Sequence, residues 1–163
     1  MIRVGAVGVM LGMLVGVSAG EPDSPVKVAR DVTQLNLSNG LAIKGYDPVS
    51  YFPEGGGVPK EGAKERQVVH RGVTYRFATD ANKVAFEKNP EKYEPAYGGW
   101  CAWAVAEKSS KVDPDPKSFV ITDGRLFLFY QGFLNDTRAW WIKDEKNLLP
   151  KAEANWPKMI VKK

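Results

Sequence analysis

A small single domain of the α+β class is the fold this sequence predicts, and three observations predict it. Two stretches, "RQVVHRGVTYRFAT" (66–79) and "SFVITDGRLFLFYQ" (118–131), are β-rich and centred on a turn dipeptide, which is the pattern of a β-hairpin. Between and after them lie segments with the start and stop signals of short helices. The chain has 163 residues, 44% hydrophobic and 26% charged. That is the size and composition of one globular domain able to bury a core without staples. Two hairpins interleaved with several short helices give α+β.

The elements follow in order. Residues 1–20, "MIRVGAVGVMLGMLVGVSAG", place Arg3 before an uncharged apolar run and close on small residues. This is the layout of a secretory signal peptide, with cleavage expected after Ala19 or Gly20. The expected product is a periplasmic or secreted protein with no stable membrane anchor. Residues 21–36 read as a flexible lead-in, and 37–163 as the domain. Asp47–Pro48 signals the N-cap and first position of a short helix, and the Gly- and Pro-rich "PEGGGVPKEG" (53–62) a loop. The first hairpin turns at Arg71–Gly72. Thr79–Asp80 caps the next helix, which breaks at Asn89–Pro90. "WCAWAVAEK" continues as a helix after Gly98–Gly99. The second hairpin turns at Asp123–Gly124, and one or two short helices close the chain.

The charge is +4, with both signs interspersed. Such faces are solvated, and no nucleic-acid motif accompanies them. Cys101 is the only cysteine, so an intramolecular disulfide, a CxxC pair and a Cys-rich zinc site are excluded. In an oxidising compartment a lone thiol is expected to be shielded, and Trp100 and Trp103 beside it are large enough to shield it. As a soft ligand it pairs most readily with His70, the only histidine, or with Asp47. Two such ligands fall short of a zinc site but suit Cu(I). "GWCAW" has a faint likeness to a cysteine-protease signature, yet His70 lies upstream where those enzymes need a downstream histidine. Phosphate loops, GxSxG and HExxH are absent, and no catalytic residue is assigned. Tyr46, Tyr51, Tyr97, Trp100 and Trp103 are aromatic enough to wall a pocket for a cofactor or ligand, or simply to make core.

"GYDPVSYF", "GVTYRFATDANKVAFEKNPEKY", "YGGWCAWAVA", "DGRLFLFY" and "ANWP" together resemble the YHS domain family, and among its members the exported stand-alone proteins. The resemblance runs from about Leu37 to Pro157 and implies a YHS-like fold. It carries one departure. Metal-associated members have cysteines where this chain has Ser50, Ala78 and Asn82. The motif's Tyr75, Phe77, Phe86, Asn89, Pro90 and Tyr93 remain. The resemblance therefore implies a retained scaffold with a vacated thiolate site, in which those three positions lie together. Three functions stay open: metal binding or handling, with copper the metal; a binding module for a small apolar ligand or a protein partner; and an enzyme using Cys101.

Overall fold

The computed structural model describes residues 31–161. The leader and most of the lead-in thus lie outside the described residues. Both predicted hairpins form. β3 (Ala63–His70) and β4 (Val73–Phe77) pair antiparallel with His70 opposite Val73. β5 (Asp115–Thr122) and β6 (Arg125–Phe129) pair with Thr122 opposite Arg125. Each turn places both central residues at positive φ: Arg71 at 48° and Gly72 at 82°, Asp123 at 51° and Gly124 at 71°. That geometry matches the right-handed twist of the strands it joins.

A third hairpin escaped the sequence reading. β1 (Leu37–Ser38) and β2 (Leu41–Ala42) join through Asn39 and Gly40, again both at positive φ. β2 then runs parallel to β4, giving a four-stranded sheet in the order β1-β2-β4-β3. The lead-in is docked from Asp31 onward. Its Asn36 amide donates to the Gly98 carbonyl, and the Trp100 indole donates to the Gln34 carbonyl at 2.8 Å.

α1 (Asp80–Lys88) is capped by Thr79, whose side chain accepts from the Asn82 amide. It ends at Asn89, and Pro90 opens the one-turn α2 (Pro90–Tyr93). After the Gly pair, α3 (Ala102–Lys108) begins at Cys101. α4 (Thr137–Ile160) is longer than expected and is broken at Asp144, where φ is −140°. At Asp47–Pro48 the expected helix is replaced by successive turns, Ser50 N to Asp47 O and Phe52 N to Val49 O. Pro53 follows and holds Phe52 extended at ψ 157°, because a residue before proline is pushed out of the helical region.

The continuous apolar run of β6 explains how the layers meet. Leu126 and Leu128 face one core, shared with the four-stranded sheet, α1 and α2. Phe127 and Phe129 face a second core, with Tyr97, Val105 and Trp141 from α3, α4 and the turn before them. A strand buried on both faces loses the alternation of a half-exposed one. Among the described residues no helix is long and apolar enough to cross a membrane.

Candidate functional site

Two places gather the chemically able side chains. The first is Asp47, which has no exposed surface. Its turn brings the amides of Val49 and Ser50 to Oδ1 at 2.9 and 3.3 Å. From the β4–α1 junction, the Ala78 amide and the Asn82 side-chain amide donate to Oδ2 at 2.8 and 2.7 Å. Ser50 completes the knot by donating from its hydroxyl to the Asp47 carbonyl and accepting from the Lys60 amide. Ser50, Ala78 and Asn82 therefore do meet in space, and what fills their midst is a carboxylate. Four donors occupy the four acceptor positions that a carboxylate offers. Asp47 is thus an internal fastener between the turn and α1, with no lone pair free for a metal.

The second place is a pocket of about 380 Å³ beside Cys101. α3 supplies Cys101, Ala104 and Lys108, whose three- and four-residue spacing puts them on one helix face. Trp103 joins them, and Val112 comes from the following loop. The segment leaving β6 adds Tyr130 and Asn135, and the first turn of α4 adds Thr137 and Trp140. The Trp103 and Trp140 rings lie 4.9 Å apart, inclined at 60°. Ala104 leaves the space that a larger residue would fill.

Cys101 lines the pocket but has no exposed surface, so its sulfur is covered. Its amide donates to Val112 O at 2.9 Å, and its strand-like pairing with Leu128 fixes it against β6. Its Sγ lies 3.5 Å from Thr137 Oγ1, which donates at 2.6 Å to the Tyr130 carbonyl. The Thr137 hydroxyl has one hydrogen and spends it on that carbonyl, so the thiol is the donor in the pair. The thiol is buried, as expected, with Thr137 at the start of α4 against it, while Trp100 turns to Gln34.

The other expected residues go elsewhere. His70 closes β3, half-buried and edge-on to Phe86 at 6.0 Å. It belongs to the first core's surroundings, whereas Cys101 neighbours Thr137 and Asp47 binds amides. The three expected metal ligands thus have separate partners. Among the described residues no three His, Cys, Asp or Glu side chains gather into a metal-holding group. Of the five expected pocket aromatics only Trp103 lines this pocket. Tyr46 packs on the first core. Tyr51 is inside it, donating to Pro116 O at 2.8 Å, and burial raises its hydroxyl above the ordinary phenol range. Tyr97 donates to Glu153 at 2.8 Å, and burial first, then that carboxylate, push it up likewise. Trp100 faces Gln34, with Lys111 Nζ 6.0 Å from its ring centre.

The residues missed are Lys108, Val112, Tyr130, Asn135, Thr137 and Trp140. The 101/104/108 spacing was the one local signal; Val112 comes from the loop after α3, and Tyr130, Asn135, Thr137 and Trp140 from a segment about thirty residues on, which no local pattern connects.

Residues 49–97 match the YHS domain family. No curated protein and no solved structure matches the chain. The match covers the Asp47 knot's Ser50, Ala78 and Asn82 and ends before the pocket, whose lining runs from Cys101 to Trp140.

Proposed function

Since residues 49–97 form a YHS domain, we propose that this domain is a rigid frame for an exported binding protein whose ligand is a small, predominantly apolar molecule held in the pocket beside Cys101. The observation that carries this reading is the paired Trp103 and Trp140 rings over a cavity of about 380 Å³. That volume falls within the range of small-molecule sites, which are mostly apolar and aromatic with a few polar groups. The turn at the mouth supports it. Gly132 N bonds Asn135 O at 2.9 Å, and the two residues between, Phe133 and Leu134, are exposed. A ligand longer than the cavity lies against them.

A copper centre of the kind the family resemblance implies does not fit these side chains. The three cysteine positions hold Ser50, Ala78 and Asn82 around a saturated carboxylate. The pocket offers one sulfur, covered and engaged with Thr137, and otherwise two hydroxyls (Tyr130 and Thr137), an amide and an ammonium group. Cu(I) needs soft donors. The same coverage, with no base beside the sulfur, argues against Cys101 as a nucleophile.

The test is a fluorescence titration with the neutral aromatic probe N-phenyl-1-naphthylamine. Saturable one-to-one binding is expected, weakened about fivefold in Trp103→Ala, since an aromatic contact contributes about 1 kcal/mol beyond buried area. Non-saturable uptake, or equal affinity in Trp103→Ala, overturns the reading.

A further inference from the structure

The pocket's walls describe an apolar ligand, and its polar atoms describe which kind. At the floor, Cys101, Thr137 and the Tyr130 carbonyl satisfy one another in a chain, so they hold nothing in reserve. Lys108 and Asn135 have no hydrogen-bond or ion-pair partner among the described residues, and neither do the Tyr130 hydroxyl and the Trp103 and Trp140 indole N–H groups. Of these lining side chains, Lys108 alone carries a charge.

A lysine in the last turn of a helix is favoured by the helix dipole, so its presence alone decides nothing. Its placement does more. The neighbouring carboxylate on α3, Glu107, is already paired with Lys151 at 2.6 Å. Lys108 turns the other way, with Nζ 5.7 Å from the centre of the Trp103 ring. The ammonium group is thereby placed over the Trp103 ring at the solvent-exposed rim of the cavity, without an ion pair among the described residues. A cation at that rim complements an anionic group on a ligand seated in the cavity, with the modest strength of a solvent-exposed ion pair.

We infer that the ligand is an amphipathic anion: a flat apolar body lying in the cavity against the Trp103–Trp140 pair, with one carboxylate or similar group reaching Lys108 and the Asn135 amide. The inference rests on the binding reading above and narrows it. Neutral apolar molecules meet the walls alone; cations are repelled at the rim.

Two probes with one aromatic body separate the claims. N-phenyl-1-naphthylamine is neutral, and 1-anilinonaphthalene-8-sulfonate adds an anionic group to the same rings. Both are titrated against the wild type, Lys108→Gln and Trp103→Ala, each first shown to unfold at a comparable urea midpoint. Lys108→Gln is expected to weaken the sulfonate about two- to fivefold, as for one partly solvated ion pair, and to leave the neutral probe within error. Raising the ionic strength to about 1 M should erase the difference between wild type and Lys108→Gln. Trp103→Ala should weaken both probes. If both bind in the pocket and Lys108→Gln affects neither or both alike, the anion inference is overturned while the binding reading stands. If the sulfonate responds to Lys108→Gln but not to Trp103→Ala, it binds outside the pocket, and the inference is again overturned. If neither probe saturates, the binding reading and the inference fall together.

Discussion

Replacing Asp47 by alanine removes the acceptor of four hydrogen bonds at once. Ser50 N keeps a partner, because it also lies 3.2 Å from the Asp47 carbonyl. Val49 N, Ala78 N and the Asn82 amide do not. Leaving a buried donor unpaired costs about 1–3 kcal/mol, so three of them bound the loss at about 3–9 kcal/mol. Water entering the vacated volume recovers part of it, and about 4 kcal/mol is the expected loss. Against the 5–15 kcal/mol that typically holds a domain together, that is a large share. Asp47→Asn sharpens the test, since shape is kept while an NH2 group is turned on donors. It should lose about 2–4 kcal/mol. Adding Asn82→Asp should return part of this by restoring one donor–acceptor pair. The assay is equilibrium urea unfolding followed by tryptophan fluorescence, with and without a chelator. A loss below about 1 kcal/mol in Asp47→Ala would refute the fastener, and wild type destabilised by the chelator would restore Asp47 as a ligand.

Three further outcomes are expected. Burial holds the hydroxyls of Tyr51 and Tyr97 neutral in the fold, above the ordinary value of 10.0. A raised value stabilises below the unfolded value and is lost above it, so stability should be flat up to about pH 10 and fall beyond; Tyr51→Phe should flatten that fall in urea midpoints, and an unchanged fall counts against the assignment. Gly98 sits at φ +63°, and a Cβ there comes within 2.9 Å of Leu35 Cδ2 and 3.3 Å of the Trp156 ring; Gly98→Ala should therefore lose about 2 kcal/mol or more and speed amide exchange over residues 31–36, whereas wild-type exchange there means the segment docks by other means. N-terminal sequencing of the soluble protein should begin after Ala19 or Gly20 if the leader is cleaved on export, and intact Met1 contradicts export by cleavage.

Local chemistry was legible where one stretch of chain decides the outcome. Arg71–Gly72 and Asp123–Gly124 make turns because their conformations suit the hairpin twist. Thr79 caps α1 because its oxygen reaches Asn82 N, three residues on. Asn39–Gly40 carried the same kind of signal, but β1 and β2 are two residues each, too short to show alternation. Asp47 had the right local bonds for a cap, yet the extended Phe52 before Pro53 stopped the helix. The meeting of Ser50, Ala78 and Asn82 was legible through family resemblance, while the carboxylate among them was not, because its partners lie up to 35 residues away. The pocket was hidden for the same reason. Cys101 meets Thr137 across 36 residues, and only the packing of α3 on α4 brings them together. Tyr46, Tyr51, Tyr97 and Trp100 went to packing or to hydrogen bonds with the lead-in and Glu153, as large aromatics do whenever a core or a polar partner is within reach.

The five tryptophans allow the binding pocket to be tested residue by residue. Each indole N–H gives one resonance in a nitrogen–proton correlation spectrum. Titration with 1-anilinonaphthalene-8-sulfonate should move the Trp103 and Trp140 signals together along one saturating curve, because both rings line the pocket. Trp100 and Trp156, which line no part of it, should stay in place. Movement at Trp100 or Trp156 with Trp103 and Trp140 unchanged would contradict the assignment of the pocket beside Cys101 as the binding site.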